Sequence, residues 1–423
     1  MSSHSEESID LTASSSKRSR RGSPGRATWL DQWFARKLLS YIGDPPIALV
    51  LWDNTAITPE NSRTEYHVLF HDRAALWLML PNATLKFGDC YSNGRVEVQE
   101  DLVDFLETVY RHMITVRRPY LVQLFLTLKQ RFTHNTIPMA RRNIHHHYDI
   151  GNAFYTKWLD REMQYTCAYF PDPAITLEQA QIAKMHHVCR KLRLQPGQTV
   201  VEAGCGWGGL ARFMAREYGV NVKAYNISKE QVAWARERAR EEGLQDKVEY
   251  VEDDFRTITG EFDVFVSVGM LEHVGINNYR ELGKVIDGCL KENGMGLIHS
   301  IGRNHPAYLD PWIESRIFPG ARPPSIGQMA AIFEPYNFSI LDIENLRQHY
   351  AKTLEHWLSR FEDHVDEIRQ DFDDNFVRAW RLYLAGSKSS FTVGTLQLFQ
   401  VVFTRPRNNA LPWSRSHLYT DHS

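Results

Sequence analysis

Short apolar runs alternate with helical stretches over residues 198–302, and this alternation predicts five strands with helices between them. The runs are rich in β-branched residues: QTVVEAG, VNVKAYNIS, KVEYVEDDF, FDVFVSVG and GMGLIHSIG. Helical periodicity marks GLARFMAREY, KEQVAWARERAREEG and YRELGKVIDGCL. Such a pattern is typical of an α/β domain with a parallel sheet covered on both faces. TLQLFQVVFTR at 395–405 is expected to return to the same sheet as a final strand.

The remaining segments predict a basic tail and a second, smaller domain. Residues 1–28 contain KRSRRGSPGR and too little apolar surface to offset the entropy of ordering, so we expect a disordered tail. Residues 29–130 combine helical TWLDQWFARKLLSYI, alternating YHVLF and a glycine turn in FGDCYSNGRVEV, which indicates a small α+β domain. Residues 131–410 form the large domain, in which the aromatic, proline-rich segment 303–394 is an insertion over the ligand crevice. Residues 411–423 are assigned to a tail.

Charge and hydropathy narrow the choice of partners. Lys and Arg number 49 against 51 Asp and Glu, so no overall charge indicates nucleic acid. YLVQLFLTLKQRF at 120–132 is apolar but too short to span a bilayer, and no signal peptide is visible. The basic tail is either a solvated segment or one attracted to anionic lipid. The five cysteines form no CxxC pair, which favours reduced thiols and a cytoplasmic protein.

A glycine loop follows the first strand of the large domain. Gly204, Gly206 and Gly209 have GxGxxG spacing between a strand and a helix, as in loops that bring backbone close to a cofactor. A dinucleotide site needs an acidic residue about 20 positions further on, but the second strand ends in AYNIS. Glu202 would repel a pyrophosphate and attract an ammonium group. These features favour S-adenosylmethionine, and a methyltransferase, over a dinucleotide oxidoreductase.

Further cofactor contacts are expected where the strands of this domain end. Cys205 is interpreted as a small residue packed against the cofactor, while Ser228 also fits an ordinary helix cap. The cofactor-binding residues predicted here are Glu202, Gly204, Cys205, Gly206, Gly208, Asn226, Ser228, Gln231, Asp253 and Asp254.

Five motifs together resemble a known family. HHHYDIGNAFY, MQYTCAYF, VEAGCGWGG, VSVGMLEHVG and LRQHYAKTLEHW closely resemble the cyclopropane-fatty-acyl-phospholipid synthases and related unsaturated-lipid C-methyltransferases. The resemblance spans residues 140–405, and FGDCYSNGRVEV is similar to the N-terminal signature of longer members. It implies a seven-stranded, Rossmann-like methyltransferase fold that uses S-adenosylmethionine as methyl donor. The acceptor would be a cis double bond in an unsaturated phospholipid acyl chain, met by a peripherally associated protein at a membrane surface.

The resemblance also implies a bound bicarbonate as the base that removes a proton from the carbocation formed on the lipid. The residues that match its binding set are Cys167, Glu272, His299, the amide of Ile301, and Tyr350. From the residues alone, Glu272 and His299 fit an acid–base pair or a core pair. Many family members carry a cysteine at the position of Ser387, and a serine cannot form a readily ionised thiolate there.

The run NIHHHYDIGNAFY raises the question of a metal site. Adjacent side chains point in different directions on a helix or a strand, so three neighbouring histidines cannot face one ion, and no metal is assigned. The resemblance instead places Tyr148 against S-adenosylmethionine, and His145 and His146 receive no role.

The predicted product is a cyclopropane fatty acyl chain, and several alternatives stay open. The same cation can give a methylene- or methyl-branched chain. A small-molecule methyltransferase and a non-catalytic lipid-binding module are further alternatives, which the complete bicarbonate set and the aromatic insertion disfavour. Acyl length, headgroup and homodimer formation are not determined, nor is whether the N-terminal domain serves membrane docking or dimer contact.

Overall fold

A computed structural model describes residues 25–59, 63–115 and 150–419. The chain divides into two compact units, one of Met1–Arg117 with Phe361–Ser389 and one of Arg118–Arg360 with Ser390–Ser423. Residues 361–389, which the sequence analysis includes in the insertion, belong to the first unit.

Some sequence predictions lie outside the described residues. These are the tail up to residue 24, the apolar segment 120–132, and the segment that contains the three histidines and Tyr148. The predicted domain limits stay predictions.

The first unit contains a four-stranded sheet in the order β2-β1-β3-β4. Its strands are β1 Ile47–Val50, β2 Ala56–Ile57, β3 Tyr66–Phe70 and β4 Val96–Val98. β1 pairs in parallel with β3, and the other pairs are antiparallel. The alternating YHVLF is β3, as predicted. The N-terminal helices are Trp29–Tyr41, Arg73–Leu78, Ala83–Ser92 and Leu102–Thr115.

The second unit is built on a seven-stranded sheet in the order β10-β11-β9-β8-β5-β6-β7. Strands β5 to β9 run parallel to one another, whereas β11 runs antiparallel to both β9 and β10. The strands are β5 Thr199–Ala203, β6 Asn221–Asn226, β7 Val248–Glu252, β8 Phe262–Val268, β9 Leu290–Gly302, β10 Ser339–Asn345 and β11 Gln397–Thr404. The five predicted strands and the final strand are all present.

Strand β10 was not predicted. Its sequence, SILDIEN, contains no fully buried position, because among the described residues this strand lies at the edge of the sheet beside β11. Such a strand lacks the continuous apolar run that marks a strand buried on both faces.

Both faces of this sheet are covered by hydrophobic cores. Val200, Val222 and Val264 point into one core, while the adjacent Val201 and Phe265 point into the other. The covering helices are Leu177–Leu192, Gly209–Tyr218, Lys229–Glu241, Tyr279–Cys289 and Ile326–Phe333, and the other α-helices after residue 149 are Asn152–Tyr155, Leu271–Val274, Pro311–Arg316, Arg347–Asp363, Val365–Asp371 and Asp374–Val393. Within the described part of the chain, no helix has the length and apolar character that crossing a membrane requires.

Candidate functional site

The glycine loop joins the end of β5 to the helix Gly209–Tyr218. Gly204 has φ +84°, and a Cβ there would lie 2.7 Å from the Cβ of Met270, so the position admits only glycine. Gly206 has φ +54°, but a Cβ there would meet no protein atom within 4 Å. The backbone at Gly206 therefore faces open space, where a ligand can approach closely.

A cavity opens in front of this loop. It is lined by six of the predicted cofactor residues: Glu202, Gly204, Cys205, Gly206, Asn226 and Gln231. Other residues of its lining were not predicted; they include Gln164, Tyr165, Thr166, Trp207, Gly269 and Met270. These residues lie in the MQYTCAYF, VEAGCGWGG and VSVGMLEHVG motifs, so the signal was present in the quoted sequences.

Asn226 fixes the loop to the next strand. Its Nδ2 donates to the carbonyl of Gly206 at 3.0 Å and to Oε1 of Gln231 at 2.8 Å, and its Oδ1 accepts from the amide of Ser228 at 3.1 Å. The side chain at the end of β6 thus holds both the glycine loop and the start of the following helix.

Glu202 supplies a buried carboxyl group to the cavity. Its Oε2 has no hydrogen-bond partner among the described residues, and burial raises its pKa to about 7 in spite of the positive charges on Lys184 and Arg212. Lys184 is itself held by Oε1 of Gln164 at 2.5 Å and Oγ1 of Thr166 at 3.0 Å. An unpartnered buried carboxyl group fits a cationic ligand, because a nearby ammonium would favour its charged form. The residues present therefore fit the amino-acid end of S-adenosylmethionine.

Four predicted cofactor residues have structural explanations instead of a place on the cavity wall. A Cβ at Gly208 would lie 2.4 Å from the hydroxyl of Tyr250. Ser228 caps the helix Lys229–Glu241. Asp254 accepts from the amide of Arg256 at 3.0 Å, and Asp253 accepts from the amide of Asp254 at 2.8 Å. Their assignment to the cofactor stays a prediction.

Glu272 lies next to the end of β9. Its Oε1 accepts from the backbone amide of Ile301 at 2.6 Å, while its Oε2 is buried without a partner in the described structure. Burial raises the pKa of this carboxyl group to about 7. The Ile301 amide, expected to face bicarbonate, thus binds the carboxylate that lies beside it.

His299 lies near the same carboxyl end of β9. The strand register pairs it with Val268, which precedes Glu272 by four residues. Its Nδ1 lies 3.0 Å from Nε2 of Gln400, so the amide donates to Nδ1 and the ring proton is on Nε2. Nε2 is buried with no described partner. Burial lowers the pKa of the ring well below its ordinary value, which makes His299 a neutral donor.

Cys167 and Tyr350 contact a segment that lies beside the carboxyl end of β9. Sγ of Cys167 lies 3.9 Å from the carbonyl of Leu346, whose amide donates to Leu398, the residue paired with Ile301 in the sheet. Tyr350 is one turn further along the chain, with its amide bonded to the Leu346 carbonyl. Burial raises the pKa of the Cys167 thiol, which therefore stays protonated.

Aromatic rings connect the cofactor cavity with Tyr350. Trp207, a wall residue of the cavity, lies 5.0 Å from Tyr155 between ring centroids, and Tyr155 lies 5.5 Å from Tyr165. Tyr165 lies 5.4 Å from Trp357, which meets the edge of Tyr350 at 6.0 Å. We call these five residues the aromatic wall. The aromatic wall connects the residues of the cofactor cavity with Tyr350, which is far from them in sequence.

Two further predicted positions are not joined to this geometry. Ser387 is half-buried on the helix Asp374–Val393 in the first unit. Tyr148 lies outside the described residues. Both assignments stay predictions.

Comparisons with known proteins identify the family of this chain. The family described as mycolic acid cyclopropane synthetase matches residues 135–401. A probable fatty acid methyltransferase of Pseudomonas putida is 41% identical over 287 residues, which cover 65% of this chain and 73% of that protein. The cyclopropane-fatty-acyl-phospholipid synthase of Escherichia coli K12 is 43% identical over 270 residues, which cover 64% and 69%.

A solved structure extends the comparison to the fold. Mycolic acid cyclopropane synthase CmaA1, complexed with SAH and CTAB, is 28% identical and superposes with a TM-score of 0.60 over 63% of this chain and 98% of its own. The fold and the site define an S-adenosylmethionine-dependent methyltransferase. The chain belongs to the mycolic acid cyclopropane synthetase family. The predicted family, fold class, enzyme class and methyl donor, S-adenosylmethionine, are thereby confirmed.

Proposed function

We propose that this protein adds the methyl carbon of S-adenosylmethionine across the cis double bond of a phospholipid acyl chain and closes a cyclopropane ring. The aromatic wall carries this proposal, because it runs from the cofactor cavity to the residues expected to hold the base. A reaction that creates a cation next to the cofactor and deprotonates it nearby needs such a connection.

The chemistry explains why the wall is aromatic. S-adenosylmethionine supplies an electrophilic methyl group on a sulfonium. The double bond is a weak nucleophile, and its attack on that methyl carbon leaves a carbocation on the acyl chain. Water would trap this cation, so the site must be dry. Buried Tyr155 and Trp357 exclude water, and aromatic faces attract cations by roughly 0.5 to 2 kcal/mol each.

Bicarbonate fits the polar groups at the far end of the wall. Glu272 Oε2 is a buried acceptor and His299 Nε2 a buried donor, and neither has a partner in the described residues. An anion with one hydroxyl and two further oxygens would satisfy both. The protonated thiol of Cys167 and the hydroxyl of Tyr350 would complete its surroundings. Bicarbonate would supply a proton acceptor close to the acyl cation.

The product is the finer part of the proposal. Loss of a proton from the transferred methyl carbon closes the ring, whereas other fates of the same cation give a methylene- or methyl-branched chain. Ring closure is proposed here because a cyclopropane-fatty-acyl-phospholipid synthase is 43% identical to this chain.

A phospholipid substrate is located in a bilayer, so the protein must reach it at the membrane surface. Peripheral association therefore follows from a phospholipid substrate. The five cysteines are all buried and unpaired with one another, which supports a reducing, cytoplasmic setting. Homodimer formation stays open.

Transfer of label from methyl-labelled S-adenosylmethionine into lipid tests the reaction. The purified chain should label vesicles of dioleoyl phosphatidylglycerol and leave vesicles of the saturated distearoyl lipid unlabelled. Label that appears only on a water-soluble acceptor would support a small-molecule methyltransferase instead. No transfer to any acceptor would support a non-catalytic lipid-binding module.

A further inference from the structure

One helix of the first unit exposes an unusual number of large apolar side chains. Ten such residues are exposed in the described part of the chain, and four of them lie on the 13-residue helix Trp29–Tyr41. They are Trp29 at 72%, Leu30 at 41%, Trp33 at 49% and Tyr41 at 58%. Single exposed apolar residues are normal, but a cluster on one element indicates an interaction surface.

These side chains share one face of the helix with its basic residues. At 100° per residue, the exposed positions occupy an arc of about 140° centred on Trp33. Arg36 and Lys37 lie within that arc and are exposed. We call Trp29, Leu30, Trp33, Arg36, Lys37 and Tyr41 the outer face of the helix.

The acidic residue of the helix itself is turned away from this face. Asp31 is fully buried on the opposite side, where it accepts hydrogen bonds from Nε of Arg73 at 2.8 Å and Nε1 of Trp77 at 2.7 Å. Asp53 accepts from the amide of Ala27 at 2.7 Å, just before the helix. The outer face therefore carries positive charge with no exposed carboxylate of its own helix.

We propose that the outer face docks on the surface of an anionic phospholipid bilayer. Tryptophan and tyrosine favour the boundary between headgroups and acyl chains, and a helix with aromatic and basic residues on one face lies in that plane. Charge complementarity selects an anionic surface over a neutral one. Exposed Arg26 precedes the helix, and Lys17, Arg18, Arg20 and Arg21 lie just upstream in sequence.

This inference rests on the proposed function for its biological sense, since docking brings the enzyme to its lipid. It deepens that proposal by assigning a surface to the membrane contact. Its test does not require turnover, because vesicle binding is measured directly.

The experiment is co-sedimentation of the full chain with vesicles of dioleoyl phosphatidylglycerol or dioleoyl phosphatidylcholine. The variant Trp29→Ser/Trp33→Ser should need at least about tenfold more phosphatidylglycerol for half-binding, because two interfacial anchors are lost. Trp413→Ser is the matched control, since Trp413 is fully exposed on the second unit. Its binding should stay within about twofold of wild type.

Charge is tested separately. Arg36→Gln/Lys37→Gln should lose most of the preference for phosphatidylglycerol over phosphatidylcholine, whereas Lys247→Gln/Lys284→Gln, which removes two exposed lysines of the second unit, should keep it. Circular dichroism establishes that each variant is folded, as expected for exposed positions.

Three results would overturn the docking surface. These are failure of the wild type to bind vesicles, equal binding of the tryptophan variant and the wild type, and a halved molecular mass of that variant in light scattering, which would make the outer face a contact between copies of the chain. Turnover on substrate dispersed in detergent micelles separates this inference from the proposed function. The tryptophan variant should retain this turnover. If the wild type shows no turnover in micelles, the proposed reaction is rejected, whereas the result on vesicle binding still stands.

Discussion

Glu272 accepts a 2.6 Å hydrogen bond from the Ile301 amide through Oε1 and leaves Oε2 buried without a partner in the described structure. The carboxyl group is thus fixed in orientation at one oxygen and available at the other. Glu272→Gln keeps the volume and the acceptor for Ile301 but removes the charge. We expect kcat to fall by about 10² or more, with the affinity for S-adenosylmethionine within about twofold.

The pH profile adds a second test of the same group. Burial raises the pKa of Glu272 to about 7, so the ionised carboxylate that would accept the hydroxyl of bicarbonate accumulates as the pH rises through that value. Activity should rise over this range in the wild type, and Glu272→Gln should lack that rise. Glu292→Gln, at an exposed position of β9, is the control. Full turnover in Glu272→Gln would contradict the assignment.

Glu202→Gln should weaken cofactor binding but stabilise the protein without cofactor. The pKa of Glu202 is about 7 in the folded chain against an ordinary 4.5, so the folded state loses stability as the pH rises from 4.5 through 7. A glutamine avoids that loss. We expect a gain on the order of 1 to 3 kcal/mol at pH 8 and little at pH 5, by thermal unfolding.

Calorimetric titration of the same variant should show an affinity for S-adenosylmethionine lower by at least about tenfold, since the counter-charge is gone. Glu249→Gln, exposed on β7, should change neither quantity. Equal stability of Glu202→Gln and wild type at both pH values would show that burial does not destabilise the ionised carboxyl group of Glu202.

Gly204→Ala tests the close packing of the glycine loop against Met270. Gly197 is a matched control, because it has φ +86° against +84° at Gly204, yet a Cβ there would meet no atom within 4 Å. Gly197→Ala should cost only the backbone term, about 1 to 2 kcal/mol in chemical unfolding. Gly204→Ala should cost more and should also reduce cofactor affinity. Equal costs would contradict a steric role for Met270.

His299 is expected to act as a neutral donor through Nε2, and its replacements can separate this role from that of a base. Glutamine places an amide donor near the position of Nε2, whereas leucine places none. His299→Gln should retain at least about a tenth of the wild-type turnover, and His299→Leu should lose about 10² or more. If the imidazole were itself the base, both variants would be equally inactive.

Strands β5, β8 and β11 could be read from the sequence because they are buried on both faces. β5 and β8 are mainly apolar, and the glycine loop between β5 and its helix marks the cofactor cavity. β10 lacks that signal because polar residues interrupt its apolar ones in the sequence SILDIEN. β7 is also an edge strand, but its β-branched residues Val248 and Val251 allowed its prediction.

Contacts that join distant segments could not be predicted in this way. Gln400 meets His299 from a strand 101 residues away, and no local pattern records that pairing. The family resemblance predicted that Glu272 and Ile301 belong to one site, but it did not predict the hydrogen bond between them. Ser228 and Asp254 show the reverse problem, since a helix cap and a ligand contact favour the same residue types at the same places.

Ring closure is tested most directly with S-adenosylmethionine that carries a trideuterated methyl group. The chain should convert the oleoyl groups of phosphatidylglycerol vesicles into acyl chains that retain two of the three deuterons, with the double bond gone and the two ring methine protons visible in the proton NMR spectrum. That result requires loss of one deuteron from the transferred carbon to a base in the site. Retention of all three deuterons, or a product that keeps an olefinic carbon, would contradict the account.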